Sequence, residues 1–174
     1  MAAVFRLARP EEAAQLPPIE QSAAQAFLAI RQLAWLAGHG VLSAADHLQF
    51  IAAGLDWLVV DVEDKPLGFL CASVQGAALH IEELAISHEH QGHGLGRQLI
   101  GHVQAWAQAQ GFTALTLTTF AEVPWNAPFY ARLGFEAVEG PALGDFLQRQ
   151  LAYEASRGLQ GRCAMRLLIS PVVR

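Results

Sequence analysis

At 174 residues the chain is long enough to bury a sizeable core, and a single domain over residues 1–174 is the working expectation. Hydrophobic residues make up 53% and charged residues 16%, which excludes a disordered, highly charged polypeptide. The net charge of -5, with Lys65 the single lysine and the arginines scattered, excludes the clustered cations that a nucleic-acid binder needs.

The two cysteines, Cys71 and Cys163, stand far apart in apolar runs without CxxC spacing and read as buried free thiols in a reducing compartment. Arg6, Arg9, Glu11 and Glu12 interrupt the stretch where a signal peptide would carry its apolar core. The most apolar helical stretch, Ala23 to Ala37, is broken by Arg31 and falls short of the ~20 residues of a membrane span. A cytoplasmic protein without a membrane partner is expected.

In chain order, Val4 to Leu7 reads as a strand and Glu11 toward Phe27 as a helix, opened by Pro10 and two acids. Ile30 to Ala37 and Ala44 to Ala53, the latter capped by Ser43, read as further helices. The period then changes. Leu55 to Val62, Leu67 to Val74 and Leu79 to Ser87 read as adjacent antiparallel strands, the first two joined by a hairpin at Glu63 to Pro66.

Leu95 to Gln110 shows helical spacing and ends at Gly111, and Thr113 to Phe120 is a β-branched strand. Asn126 to Leu133 (helix), Phe135 to Val138 (strand), Leu143 to Ser156 (helix) and Arg162 to Ile169 (strand) complete an α/β pattern: a mixed sheet with helices on both faces.

The segment between the third strand of that group and the next helix carries the chemistry: His88-Glu89-His90-Gln91-Gly92-His93-Gly94-Leu95-Gly96-Arg97. A helix N-terminus offers unpaired N–H groups and partial positive charge, and glycines let an anion reach the backbone. The pattern is not a P-loop, since no Gly-Lys-Ser/Thr follows, nor a dinucleotide fingerprint, since Arg97 stands in place of the third glycine. A nicotinamide-dependent oxidoreductase is therefore disfavoured.

Gln91, Gly94 and Gly96 fit the pattern Gln/Arg-x-x-Gly-x-Gly/Ala. Together with the preceding Ile81 to Ile86 and with Asn126-Ala127-Pro128-Phe129-Tyr130 through Gly134-Phe135, this segment resembles the GNAT superfamily of acyl-CoA-dependent N-acetyltransferases. The likeness is close from Leu79 to Val138. It implies a mostly antiparallel central sheet with splayed fourth and fifth strands. It also implies acetyl-CoA as cosubstrate and an amine acceptor on a small molecule or peptide. Homodimers are common in that family.

The resemblance further implies that Leu84, Ala85 and Ile86 meet pantetheine through their backbone and that N–H groups of Gln91, Gly92, His93, Gly94, Leu95, Gly96 and Arg97 hold the pyrophosphate. Asn126 would meet the arm from the other side, although it also stands where a helix N-cap is expected. Tyr130 would lie near the sulfur and protonate the leaving thiolate.

An amine must lose its proton before it attacks a thioester, so a base is required. Alternation along the strand puts His80 and Glu82 on one face and Glu83 on the other, which ranks Glu82 first and His80 second as base or relay. A bulge would reverse the faces. His88, His90 and His93 invite a metal reading, but no carboxylate or cysteine completes a ligand set at metal spacing, so none is assigned. A catalytically silent acyl-CoA sensor is the alternative to the enzyme.

Overall fold

The computed structural model describes residues 2–170 and Val172. The strands are β1 (Val4–Leu7), β2 (Asp56–Val60), β3 (Pro66–Gln75), β4 (Ala78–Ile86), β5 (Ala114–Phe120), β6 (Glu136–Val138) and β7 (Arg162–Leu168), and the α-helices are α1 (Leu16–Ala23), α2 (Ala44–Ala52), α3 (Leu95–Ala109), α4 (Ala127–Arg132) and α5 (Gly144–Ser156). The sheet order is β1-β2-β3-β4-β5-β7-β6. Its β4–β5 pair is parallel and its β1–β2, β2–β3, β5–β7 and β6–β7 pairs are antiparallel. The chain packs as two compact units, Met1–Ser73 with Glu82–Val103 and Val74–Ile81 with Gln104–Arg174.

In the first unit, every residue of β2 is buried, as are the first seven of β3. A strand covered on both faces reads as a continuous apolar run rather than as an alternation. Leu16 and Ile19 of α1 pack with Leu58, Val60, Phe69, Cys71 and Ala85 on one face. On the other face Phe5, the register partner of Val59, stacks on His102 of α3 with ring centroids 5.9 Å apart. Helices thus cover both faces of these strands.

Expected and observed elements agree where local signals are strong. Ser43 caps α2 in a reciprocal box, its Oγ accepting from Asp46 N–H and Asp46 accepting from Ser43 N–H. The long helix expected from Glu11 to Phe27 is instead a 3-10 turn (Pro10–Gln15), then α1, then a second 3-10 segment (Ala24–Ala29). Pro17 and Pro18 cannot donate into the i→i−4 ladder, so the α-helix can begin only with them in its first turn. The helix expected at Ile30 to Ala37 is likewise a 3-10 segment, Arg31–Gly38, set off by the extended backbone of Ile30.

Two polar pairings, one buried and one part-buried, were not foreseen in the sequence. His47 of α2 and Asp56 of β2 are fully buried and share a hydrogen bond of 2.7 Å, which fastens helix to strand. Glu12 accepts from Arg6 at 2.6 Å, and Arg6 also reaches Asp64 in the β2–β3 hairpin at 2.8 Å. The Arg6 guanidinium holds the Glu12 carboxyl below its ordinary range.

In the second unit β5 pairs along its whole length with β7. Buried Glu154 of α5 accepts from Arg162 Nε at 2.6 Å and from Thr118 Oγ1 at 2.7 Å, tying helix, β7 and β5 together. The parallel β4–β5 ladder covers three residue pairs, Ala78↔Ala114 to His80↔Thr116. Beyond it, Glu82 to Ile86 belongs to the first unit.

Candidate functional site

β4 leads out of the first unit's core into the glycine-rich turn. Ala85 is buried beneath α1, whereas Leu84 and Ile86 are half-buried. The close approach of β3 to β4 depends on Gly68, because a Cβ there would stand 2.7 Å from Ala85 O and 2.4 Å from Ile86 Cδ1. After β4, Ser87 shares a 2.6 Å hydrogen bond with His90 Nδ1, and His88 N–H donates to Ser22 Oγ at 2.9 Å. Gln91 folds back inward, its amide donating to Ile86 O at 3.0 Å and to Ala23 O at 3.4 Å. The glutamine of the motif therefore clamps the turn to β4 and α1 through its side chain.

Gly92 and Gly94 both sit at φ 78°, in the left-handed region that a side chain resists. His93 lies between them. Space beside Gly92 is open, with nothing within 4 Å of where a Cβ would stand, and beside Gly94 the nearest atom is Gln98 Nε2 at 3.6 Å. Helix α3 opens at Leu95, and Gln98 N–H makes its first backward bond, to Gly94 O at 3.1 Å. The N–H groups of Leu95, Gly96 and Arg97 lie in the first turn, where no preceding helical carbonyl can accept them. Exposed backbone, open space and a helix N-terminus give an anion cradle whose fit to a pyrophosphate does not depend on lysine.

The carboxylates of β4 differ from each other. Glu82 is exposed and accepts from Ser73 Oγ at 2.6 Å. Glu83 is half-buried, and its Oε1 accepts from the N–H of Leu84 at 3.2 Å. Glu20 of α1 was not singled out in the sequence. It accepts from Leu42 N–H at 3.0 Å, and burial, reinforced by the charge of Glu83, pushes its carboxyl up to about 8. Glu20 is half-buried, and nothing in the local stretch Leu-Pro-Pro-Ile-Glu-Gln-Ser-Ala marks it out from its neighbours. Cys71 lies in the same neighbourhood, and burial, helped by Asp56, Glu83, Glu82 and Glu20, drives its thiol well above its ordinary range.

The turn also borders a cleft of about 260 Å³ lined in part by Pro18, Ile19, Ser22, Lys65, Ser87 and His90. This cleft did not emerge from sequence reading, because α1, the hairpin and the turn are far apart along the chain.

In the second unit His80 is 1% exposed. Its Nδ1 lies 2.9 Å from Thr116 Oγ1, and its ring meets Phe146 edge-on at 4.8 Å. The alternation that pairs His80 with Glu82 therefore corresponds to two different surroundings, a buried imidazole and an exposed carboxylate. Asn126 precedes α4 but makes no side-chain cap; its Oδ1 faces the end of β5, 3.4 Å from Phe120 N. The capping role expected of that side chain is thus not realised. Tyr130 is half-buried on α4, edge-on to Phe129 at 5.1 Å and to Phe135 at 5.7 Å, so its ring is fixed on two sides.

The acetyltransferase (GNAT) family profile matches residues 23–135. The chain belongs to that family. Its fold is shared with solved GNAT structures at low sequence identity. The PaiA N-acetyltransferase of Thermoplasma acidophilum, in complex with coenzyme A, matches with TM-score 0.72 and 13% identity over 97% of this chain and 100% of that one. The ribosomal-protein-S18-alanine N-acetyltransferase of Escherichia coli gives 0.68 and 16% over 99% and 97%. A GNAT-family acetyltransferase of Streptococcus pneumoniae gives 0.69 and 19% over 97% and 100%. The cosubstrate that goes with this GNAT membership is acetyl-CoA. Among the described residues no helix is long and apolar enough to cross a membrane.

Proposed function

We propose that residues 1–174 act as one N-acetyltransferase domain, moving acetyl from acetyl-CoA to a primary amine of a small molecule or peptide by direct attack in a ternary complex. The observation that carries this reading is the left-handed glycine turn opening α3, clamped by Gln91, in a chain of the GNAT family. The free thiols Cys71 and Cys163 suit the reducing cytoplasm as the place of action.

In the proposed reaction the turn holds the pyrophosphate and the backbone of Leu84, Ala85 and Ile86 aligns the pantetheine arm. Glu82, directly or through a water, takes the proton that the acceptor ammonium must lose, while buried His80 serves as a positioning residue for β4 against β5. The amine lone pair attacks the thioester carbonyl, a C–N bond forms, and the C–S bond breaks as the tetrahedral intermediate collapses. Tyr130 gives its proton to the departing thiolate and is reprotonated, through solvent, by the proton that the former amine nitrogen sheds as the amide forms. A backbone N–H near Ile86 steadies the developing oxyanion. The products are the acetamide and free CoA.

A protein N-terminus is one candidate acceptor class, since one solved structure of this fold is a ribosomal-protein-S18-alanine N-acetyltransferase. The test is release of free thiol from acetyl-CoA with small cationic amines, aminoacyl compounds and peptides bearing free N-termini. Amine-dependent release with acetamide formation is expected. Tight CoA binding without turnover across all three classes would favour a sensor instead.

A further inference from the structure

We infer that Ser22, next to the last residue of α1, is a positioning residue for the cofactor turn: its hydroxyl caps the turn from another part of the fold and so sets the affinity for CoA. The inference rests on the acetyl-CoA reading above.

The turn starts with a short 3-10 segment, His88–His90, whose leading amide has no helical carbonyl to bond. A side-chain cap ordinarily comes from the residue just before, here Ser87. Ser87 makes no such cap, and its hydroxyl pairs instead with His90 Nδ1 at 2.6 Å. The oxygen that accepts from His88 N–H, at 2.9 Å, belongs to Ser22, 66 residues earlier in the chain. This cap satisfies a backbone donor, and it also fixes the start of the turn to a helix that Leu16 and Ile19 hold in the core.

The turn depends on such an anchor because its own chain is loose. Gly92 and Gly94 hold φ at 78°, and glycine has more conformational freedom to lose than any other residue. The internal bond from Gln91 N–H to His88 O is long, at 3.3 Å. Gln91 reaches Ala23 O with its side chain, so two successive residues of α1, Ser22 and Ala23, hold the two ends of His88 to Gln91. Gln91 belongs to the glycine motif, whereas Ser22 belongs to no motif and was not singled out in the sequence. Without the cap, a smaller share of molecules carries the turn in its binding shape, and the apparent dissociation constant rises by the inverse of that share.

The experiment compares Ser22→Thr with Ser22→Val in the full chain. Both side chains branch at Cβ and have nearly the same shape, so strain from branching is common to the two and their difference reads the oxygen. Calorimetric titration with CoA is expected to give a dissociation constant about 5-fold higher in Ser22→Val than in Ser22→Thr, the effect of losing one cap. The KM for acetyl-CoA should follow the same ratio while kcat stays within about 2-fold. The His88 amide should exchange its hydrogen faster in Ser22→Val. Ser43→Ala, which removes the cap of α2 outside the turn, should lower the melting temperature and leave the CoA dissociation constant unchanged. Equal CoA affinity in Ser22→Thr and Ser22→Val, or a loss of CoA affinity in Ser43→Ala as large as that in Ser22→Val, overturns the inference. A chain that binds no CoA in any form would instead overturn the acetyl-CoA reading, and the His88 exchange rates would still report whether Ser22 caps the turn.

Discussion

The glycine turn and the carboxylates beside β4, the two parts of the proposed site, are built by opposite means. In the turn, what is offered to a ligand is Gly92 and Gly94 at φ 78° and the first N–H groups of α3, so there main-chain geometry, not side chains, sets the proposed site. Around β4, the backbone is ordinary strand and everything depends on what surrounds each carboxyl: Ser73 at Glu82, the Leu84 N–H at Glu83, and burial with the charge of Glu83 at Glu20. A backbone-made site is insensitive to most neighbouring substitutions but intolerant of a Cβ. A side-chain-made site responds to single charges and to pH.

The largest expected effect falls on the backbone side of that contrast. Gly94→Val, or Gly96→Val, should weaken CoA binding by roughly 100-fold or more, because a branched side chain blocks phosphate approach and, at position 94, also strains φ. Calorimetry against CoA on a variant with retained circular dichroism checks this. Unchanged affinity would remove the pyrophosphate assignment.

Next in size is Tyr130→Phe, expected to lower kcat by roughly 100-fold while leaving the KM for acetyl-CoA within a few-fold. A general acid typically contributes at least that much, and Phe preserves the packing against Phe129 and Phe135. A wild-type kcat would take the hydroxyl out of the mechanism. Smaller again is Glu82→Gln, expected to depress kcat/KM about 10-fold or more at neutral pH and to recover as rising pH supplies free amine. Glu83→Gln is expected to do less. The paired pH–rate profiles decide between them, and a pH-independent loss in Glu82→Gln, or a larger loss in Glu83→Gln, reverses the assignment.

The smallest effect concerns stability. Glu20 has its folded carboxyl pushed up to about 8 from an ordinary value of 4.5, so the folded state binds a proton that the unfolded chain has released. The stability contributed by protonated Glu20 is therefore full below about 4.5, is lost as pH rises toward about 8, and is gone above it. Glu20→Gln keeps the neutral form at every pH. Its melting temperature should exceed wild type by a few degrees at pH 8.5 and match it near pH 4.5, by thermal denaturation at both values. Equal melting curves at pH 8.5 would show that the Glu20 carboxyl is not held neutral by its surroundings.

Sequence reading went furthest where function is local. The turn could be read because glycine identity and helix onset are encoded within ten residues, and Asn126 to Phe135 because its spacing is fixed on one short helix and the strand after it. Strand positions from β2 to β7 were legible from β-branched and apolar runs. The N-terminal third was not, because Pro17 and Pro18 cut an apolar stretch that otherwise reads as one helix, and the choice between α and 3-10 turns on packing.

Taken by itself, the sequence determined the strand order from β2 onward, the glycine-rich turn opening α3 and the family, since each rests on residues adjacent in the chain. The tertiary structure alone decided that half-buried Glu20 lies where the charge of Glu83 reaches it, that His80 is enclosed by Thr116 and Phe146, and that His47 is bonded to Asp56. These side chains have partners up to 66 residues away, and the free energy of a charge depends on the dielectric and the neighbours that folding brings to it, which no local pattern contains.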